Sequence, residues 1–135
     1  MKFKRILLVD DDQITNFLNE NLIKEMNISD YISIANDGQE ALDYVKLNCL
    51  GSGNVNGACC DLILLDLNMP VMDGFEFLEK VSELKIDTSI SIVLLTTSSN
   101  ERDLERAKTF NIMGYINKPL TEAKIQQAIQ QRNKN

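Results

Sequence analysis

The chain predicts an α/β fold: a doubly wound, five-stranded parallel sheet of strand order 2-1-3-4-5 with five helices over its two faces. Three observations carry that prediction. Short apolar runs recur along the 135 residues, amphipathic helical patterns lie between them, and the runs end on acids, hydroxyls or a lysine. An unbroken apolar run of roughly four to eight residues marks a strand buried on both faces. Alternation with helices calls for right-handed crossovers and a parallel sheet covered on both sides.

The first strand is read at Arg5 to Asp10, RILLVD. In the helix that follows, Ile14, Phe17, Leu18, Leu22 and Met26 recur at three- and four-residue spacing, with Asp12 placed to cap its start. The second strand is Ile32 to Ala35. The second helix, DGQEALDYVKLN, puts Ala41, Leu42, Val45 and the stem of Lys46 on one face. Gly51 to Ala58, GSGNVNGA, breaks the rhythm and reads as a mobile loop insertion. The third strand, Asp61 to Asp66, gives way to an Asp73-Gly74 turn and a helix with Phe75, Leu78, Val81 and Leu84 inward. The fourth strand is Ile90 to Thr97; its helix, SNERDLERAKTF, has an acidic first turn and Leu104, Ala107 and Phe110 inward. The fifth strand is Gly114 to Asn117. A fifth helix opens at Thr121 with an inner stripe of Ile125, Ala128 and Ile129. The final RNKN is expected to fray. Five such units give the flavodoxin-like order. Residues 1–135 read as one domain with no output domain.

Composition narrows the function classes. Apolar residues make up 44% and charged residues 25%, ordinary globular values. A net charge of −6 with no histidine argues against nucleic acid as a direct partner, which requires a basic face. No apolar stretch approaches the ~20 residues that span a bilayer, and no signal peptide is read. Cys49, Cys59 and Cys60 are odd in number and two are adjacent, so free thiols in a reducing cytoplasm are expected. Cys-x-x-Cys and histidine ligands are both lacking, which disfavours a zinc site.

In an open parallel sheet, ligands bind beyond the carboxyl ends of the strands at the topological switch point, here between the first and third strands. The first strand ends on Asp10-Asp11-Asp12 and the third on Asp66. Clustered carboxylates repel and raise one another's pKa unless a cation neutralises them. Oxygen-only donors select a hard ion, and Mg²⁺ with several retained waters suits an open cluster of two or three ligands, Mn²⁺ substituting. Thr96 ends the fourth strand, and Lys118 follows the fifth. A carboxylate, a divalent cation, a hydroxyl and an ammonium together can stabilise a phosphoryl group on that carboxylate. Taken singly, each residue has an ordinary explanation: Asp12 a helix cap, Asp73-Gly74 a turn, Lys118 a solvated surface lysine. Their joint occurrence at consecutive strand ends does not.

These residues resemble the receiver domain of two-component response regulators over essentially the whole chain. The marks are LLVDDD at Leu7 to Asp12, LLDLNMPVMDG at Leu64 to Gly74, LLTT at Leu94 to Thr97 and KPL at Lys118 to Leu120. The resemblance implies Asp66 as phosphoacceptor, Asp11 as direct Mg²⁺ ligand, Asp10 acting mainly through water, and Asn68 lending a backbone carbonyl. It implies Thr96 as the switch hydroxyl, Lys118 as the pairing lysine, Tyr115 as the aromatic whose rotamer reports activation, and a cis peptide between Lys118 and Pro119. It further implies transfer from a sensor histidine kinase or a histidine phosphotransfer protein. Output is expected through a surface of the fourth helix, fifth strand and fifth helix toward an unidentified protein target. A monomer is the default, with a phosphorylation-linked dimer through the fourth-helix face as the family's alternative.

Departures from the pattern are visible. Thr97 is bulkier than the small residue most receivers carry there, and Asn68 and Ser98 occupy the positions that tune dephosphorylation. A haloacid dehalogenase-type phosphatase needs a second Asp two residues after its nucleophile, where this chain has Asn68. A receiver degenerate to a docking module would not keep the full acid, hydroxyl and lysine set. A flavodoxin would not place acids where the FMN phosphate binds.

Overall fold

A computed structural model describes residues 3–50, 59–84, 90–97 and 101–134. The elements are β1 (Phe3–Val9), α1 (Gln13–Met26), β2 (Ser29–Ala35), α2 (Gly38–Asn48), β3 (Leu62–Asp66), α3 (Gly74–Ser82), β4 (Ser91–Thr96), α4 (Glu101–Ala107), β5 (Gly114–Asn117) and α5 (Glu122–Lys134). The strands form one parallel sheet in the order β2-β1-β3-β4-β5. Fold class and strand order agree with the sequence prediction.

Each face of the sheet carries its own core, because alternate residues of a strand point to opposite sides. Leu7, Val9, Ile63, Leu65 and Leu94 pack with α2 and α3 residues such as Val45, Phe75, Phe77 and Leu78, together with Ala107 of α4. Ile6, Leu8, Leu62, Leu64, Val93 and Leu95 face the other way, onto Ile23 of α1 and Ile125, Ala128 and Ile129 of α5. β3 lies between β1 and β4 and is buried along its whole length. It therefore needs apolar residues on both faces, which is why its sequence does not alternate.

Several local expectations are corrected. In α1, Ile14, Phe17 and Leu18 are 70%, 60% and 60% exposed, and the buried residues are Asn16, Asn19 and Ile23. Leu22 and Met26 pack only partly against the core. The apolar spacing thus marked an outward patch as well as an inner stripe. Lys46 is exposed and Tyr44 packs toward the core instead, while Phe77, absent from the predicted stripe of α3, is fully buried. β2 begins at Ser29 and α5 continues through Lys134, so RNKN is part of the helix up to Lys134.

The free-thiol expectation fails for two of three cysteines: Cys49 and Cys59 form a disulfide, with Cα atoms 4.9 Å apart. Cys49 caps the C-terminus of α2 and Cys59 lies three residues before β3, so the chain returns to its starting point across ten positions. Adjacency of Cys59 and Cys60 does not prevent this pairing. Cys60 stays a free, buried thiol, its pKa pushed up to about 12 by burial. The predicted Gly51 to Ala58 insertion lies outside the described residues, as does Ser98. No described helix is long and apolar enough to cross a membrane.

Candidate functional site

Three chain segments converge at the carboxyl ends of β1, β3 and β5. Asp10 follows β1, and its backbone N–H donates to the Ala35 carbonyl at 3.2 Å, extending the sheet by one residue. Asp12 then caps α1: its carboxylate accepts from the Ile14 N–H at 2.9 Å and from the Thr15 hydroxyl at 3.0 Å. The Thr15 hydroxyl and then the Ile14 amide hold the Asp12 carboxyl below its ordinary pKa. Asp11 is left between strand and cap, exposed.

Asp66 is the last residue of β3. Just beyond it the chain turns back so tightly that the Gly74 N–H donates to the Leu67 carbonyl at 2.9 Å. A Cβ on Gly74 would lie 2.8 Å from the Asp66 carbonyl oxygen and 2.9 Å from the Leu67 Cα, so the close approach requires glycine. Asp73 and Glu76 form a reciprocal capping box that starts α3 at this point. Val71, at the tip of the loop, has φ of 70°, a strained left-handed conformation for a β-branched residue, and is exposed.

The third segment brings a cation. The Lys118 N–H donates to the Thr96 carbonyl at 2.8 Å, which continues the β4–β5 pairing, and the Lys118–Pro119 peptide is cis. The Lys124 ammonium donates to the carbonyls of Asn117 and Pro119 at 2.8 and 3.1 Å, tying α5 to the loop that carries Lys118. The Lys118 ammonium donates to Asp10 Oδ2 at 2.6 Å and lies 3.3 Å from Asp66 Oδ1.

Carboxylate oxygens of Asp10, Asp11 and Asp66 lie within 4.8 Å of one another. Asp10 and Asp66 are buried, at 2% and 4% exposure. Burial first, and then the negative charge of Asp10, push the Asp66 carboxyl above its ordinary pKa, against the opposing pull of Lys118 and the Asn68 N–H. For Lys118, burial disfavours the ammonium, but the hydrogen bond to Asp10 and the charge of Asp66 outweigh it and raise its pKa. An acid cluster that one lysine does not fully neutralise, with oxygen donors only and one exposed carboxylate, fits a hard divalent cation.

Of the remaining predicted residues, Thr96 is buried at the end of β4, Asn68 is exposed with its N–H on Asp66, and Tyr115 is 45% exposed on β5. Sequence reasoning missed Asn16, whose side-chain Nδ2 donates to the Asp10 carbonyl at 2.9 Å, and Lys124. Beside the acids, Thr15, Leu18, Leu22, Thr97, Pro119 and Leu120 line a mainly apolar groove of about 520 Å³ that reaches Lys118.

The family model described as the response regulator receiver domain matches residues 6–130. The chemotaxis protein CheY of Halobacterium salinarum is 31% identical over 127 residues, covering 93% of this chain and 93% of that protein. The response regulator Rcp1 of Synechocystis is 32% identical over 115 residues, covering 85% and 76%. A two-component response regulator from Cytophaga hutchinsonii superposes with a TM-score of 0.81 at 25% identity, covering all of both chains. In some longer relatives the matching stretch is half the protein or less.

Proposed function

The chain belongs to the response regulator receiver domain family, and we propose that it accepts a phosphoryl group on Asp66 from the phosphohistidine of a sensor kinase or phosphotransfer protein. The observation that carries this reading is the meeting of Asp10, Asp11 and Asp66 within 4.8 Å, with the Lys118 ammonium on both buried acids. In the reaction an Asp66 carboxylate oxygen attacks phosphorus as the phosphorus–nitrogen bond to the donor imidazole breaks, and the imidazole leaves with the bonding electrons. Asp10, Asp11 and Asp66, with the Asn68 carbonyl, would hold Mg²⁺, which when bound neutralises the acids and the phosphoryl oxygens.

The protein's own part is positioning and charge. Lys118 moves its ammonium from the Asp66 carboxylate toward the arriving phosphoryl oxygens, and the Thr96 hydroxyl donates to another. Phosphorylation replaces the single negative charge of a carboxylate with a phosphoryl group carrying about 1.5 to 2 negative charges at a buried strand end. Thr96 and Lys118 answer that charge by moving, and Tyr115 follows inward from its half-exposed position. The face of α4, β5 and α5 is thereby rebiased toward a protein target.

The exposed apolar residues Ile14, Phe17 and Leu18, the last of which lines the groove that reaches Lys118, support docking of the phosphodonor next to the acids. On this reading the protein acts in the cytoplasm and is monomeric before phosphorylation. It is a signalling phosphoprotein that promotes its own phosphorylation and slow dephosphorylation, and no turnover of free phosphomonoesters is expected. The test uses phosphoramidate, a small donor with the same phosphorus–nitrogen bond, with Mg²⁺. Intact mass should gain one phosphoryl group, and Asp66→Asn should gain none. Catalytic release of phosphate from a phosphomonoester would replace this reading with a phosphatase.

A further inference from the structure

Asn16 is a polar residue where a core residue is expected. It lies on the inward face of α1, is 2% exposed, and has one hydrogen bond to satisfy a side chain that offers two donors and an acceptor. Its Nδ2 donates to the Asp10 backbone carbonyl at 2.9 Å, while its buried Oδ1 has no partner among the described residues. An orphaned buried acceptor is destabilising, and an apolar side chain of similar size would remove it while leaving the Asp10 carbonyl without its donor. Stability therefore does not account for asparagine here.

Geometry does. Each polar group of Asp10 is committed: its N–H to the Ala35 carbonyl, its Oδ1 to the Asp12 N–H at 2.9 Å, its Oδ2 to Lys118, and its carbonyl to Asn16. That carbonyl belongs to the peptide plane joining Asp10 to Asp11, so the Asn16 amide fixes the direction in which the chain leaves Asp10. Asp11 has an exposed carboxylate to which no described residue donates a hydrogen bond. Its aim at the other two acids then depends on the peptide plane before it.

We propose that Asn16 is a positioning residue for the divalent cation: through the Asp10 carbonyl it orients the Asp10–Asp11 peptide and pre-sets the Asp11 carboxylate. The inference rests on the reading that Asp10, Asp11 and Asp66 hold that cation. Groups that orient metal ligands typically contribute about 10- to 100-fold in affinity. The same strut explains why a helix that exposes three large apolar residues turns Asn16 inward, since its side chain reaches back to the strand end.

The experiment titrates MgCl₂ into the unphosphorylated full chain, followed by calorimetry and by the Asp10 and Asp11 backbone amide resonances, for wild type, Asn16→Leu, Asn16→Ala and Asn16→Gln. Wild type should bind, leucine and alanine should weaken binding about tenfold, and glutamine, which keeps a donor, should recover part of the loss. Thermal midpoints in EDTA should change little for leucine, because the orphaned Oδ1 is gone but the Asp10 carbonyl loses its donor. Wild-type affinity in whichever donor-free variant folds would overturn the proposal. So would loss of the folded signal in both, which would make Asn16 a structural residue. Failure of wild type to bind Mg²⁺ would instead refute the cation site itself.

Discussion

Replacing Asp66 by asparagine should make the metal-free protein more stable. The Lys118 ammonium lies 3.3 Å from Asp66 Oδ1, an attraction of about 5 kcal/mol at an effective dielectric of ~20. Asp10 and Asp66 carboxylate oxygens come within 4.8 Å, a repulsion of at least about 3.5 kcal/mol on the same scale. The remaining attraction, at most about 1.5 kcal/mol, does not recover the several kcal/mol that burying an ionised carboxylate costs. The raised pKa of Asp66 has the same sign. Asparagine removes the charge and leaves Lys118 its 2.6 Å bond to Asp10. The expected gain is about 1 to 2 kcal/mol, or about 3 to 8 °C in Tm for a chain of this size. The assay is thermal unfolding in EDTA, repeated across pH. A carboxyl whose folded pKa is raised contributes stability that is present below its unfolded value of about 3.9 and lost as pH rises through the folded value. The variant's advantage should therefore be absent in acid and open above about pH 4. An Asp66→Asn protein that melts below wild type in EDTA at neutral pH would refute the electrostatic reasoning.

Gly74→Ala should cost about 2 to 4 kcal/mol by denaturant unfolding, because its Cβ meets backbone at 2.8 and 2.9 Å, and the tight return after Asp66 must open. Reducing the Cys49–Cys59 disulfide, which spans ten positions, should lower stability by about 3 kcal/mol on the chain-entropy scale, read as a shift of the urea midpoint with and without dithiothreitol. Ile14→Ser with Leu18→Ser should change stability by less than about 0.5 kcal/mol, since both side chains are exposed. The same pair should slow phosphotransfer from a histidine phosphodonor protein while leaving phosphorylation by phosphoramidate unaltered, a comparison made by phosphorylation time courses.

The sheet was legible because burial on both faces forces unbroken apolar runs, as in LILL of β3, and because such runs end where the chain turns. The acids were legible because a charge at the end of an apolar run has few reasons to be there. β2 was half-missed: Ser29, Asp30 and Tyr31 belong to an edge strand whose outer side faces solvent, so its first residues carry no apolar signal. In α1 the period was right, but an exposed apolar patch and a polar inner face cannot be told from a core stripe by spacing alone. Asn16 and Lys124 act through backbone carbonyls, and a bond to a carbonyl leaves no mark in the partner's residue type. The disulfide depends on where the chain returns in space, which cysteine spacing does not encode.

An acyl phosphate on Asp66 can be trapped chemically at the residue that carries it. After incubation with phosphoramidate and Mg²⁺, borohydride reduction converts an aspartyl phosphate to homoserine, and peptide mass mapping locates the change. Homoserine is expected at position 66 alone, and none when Mg²⁺ is chelated. An unmodified position 66 in protein that has gained a phosphoryl group, or a mark at another acid, would contradict it.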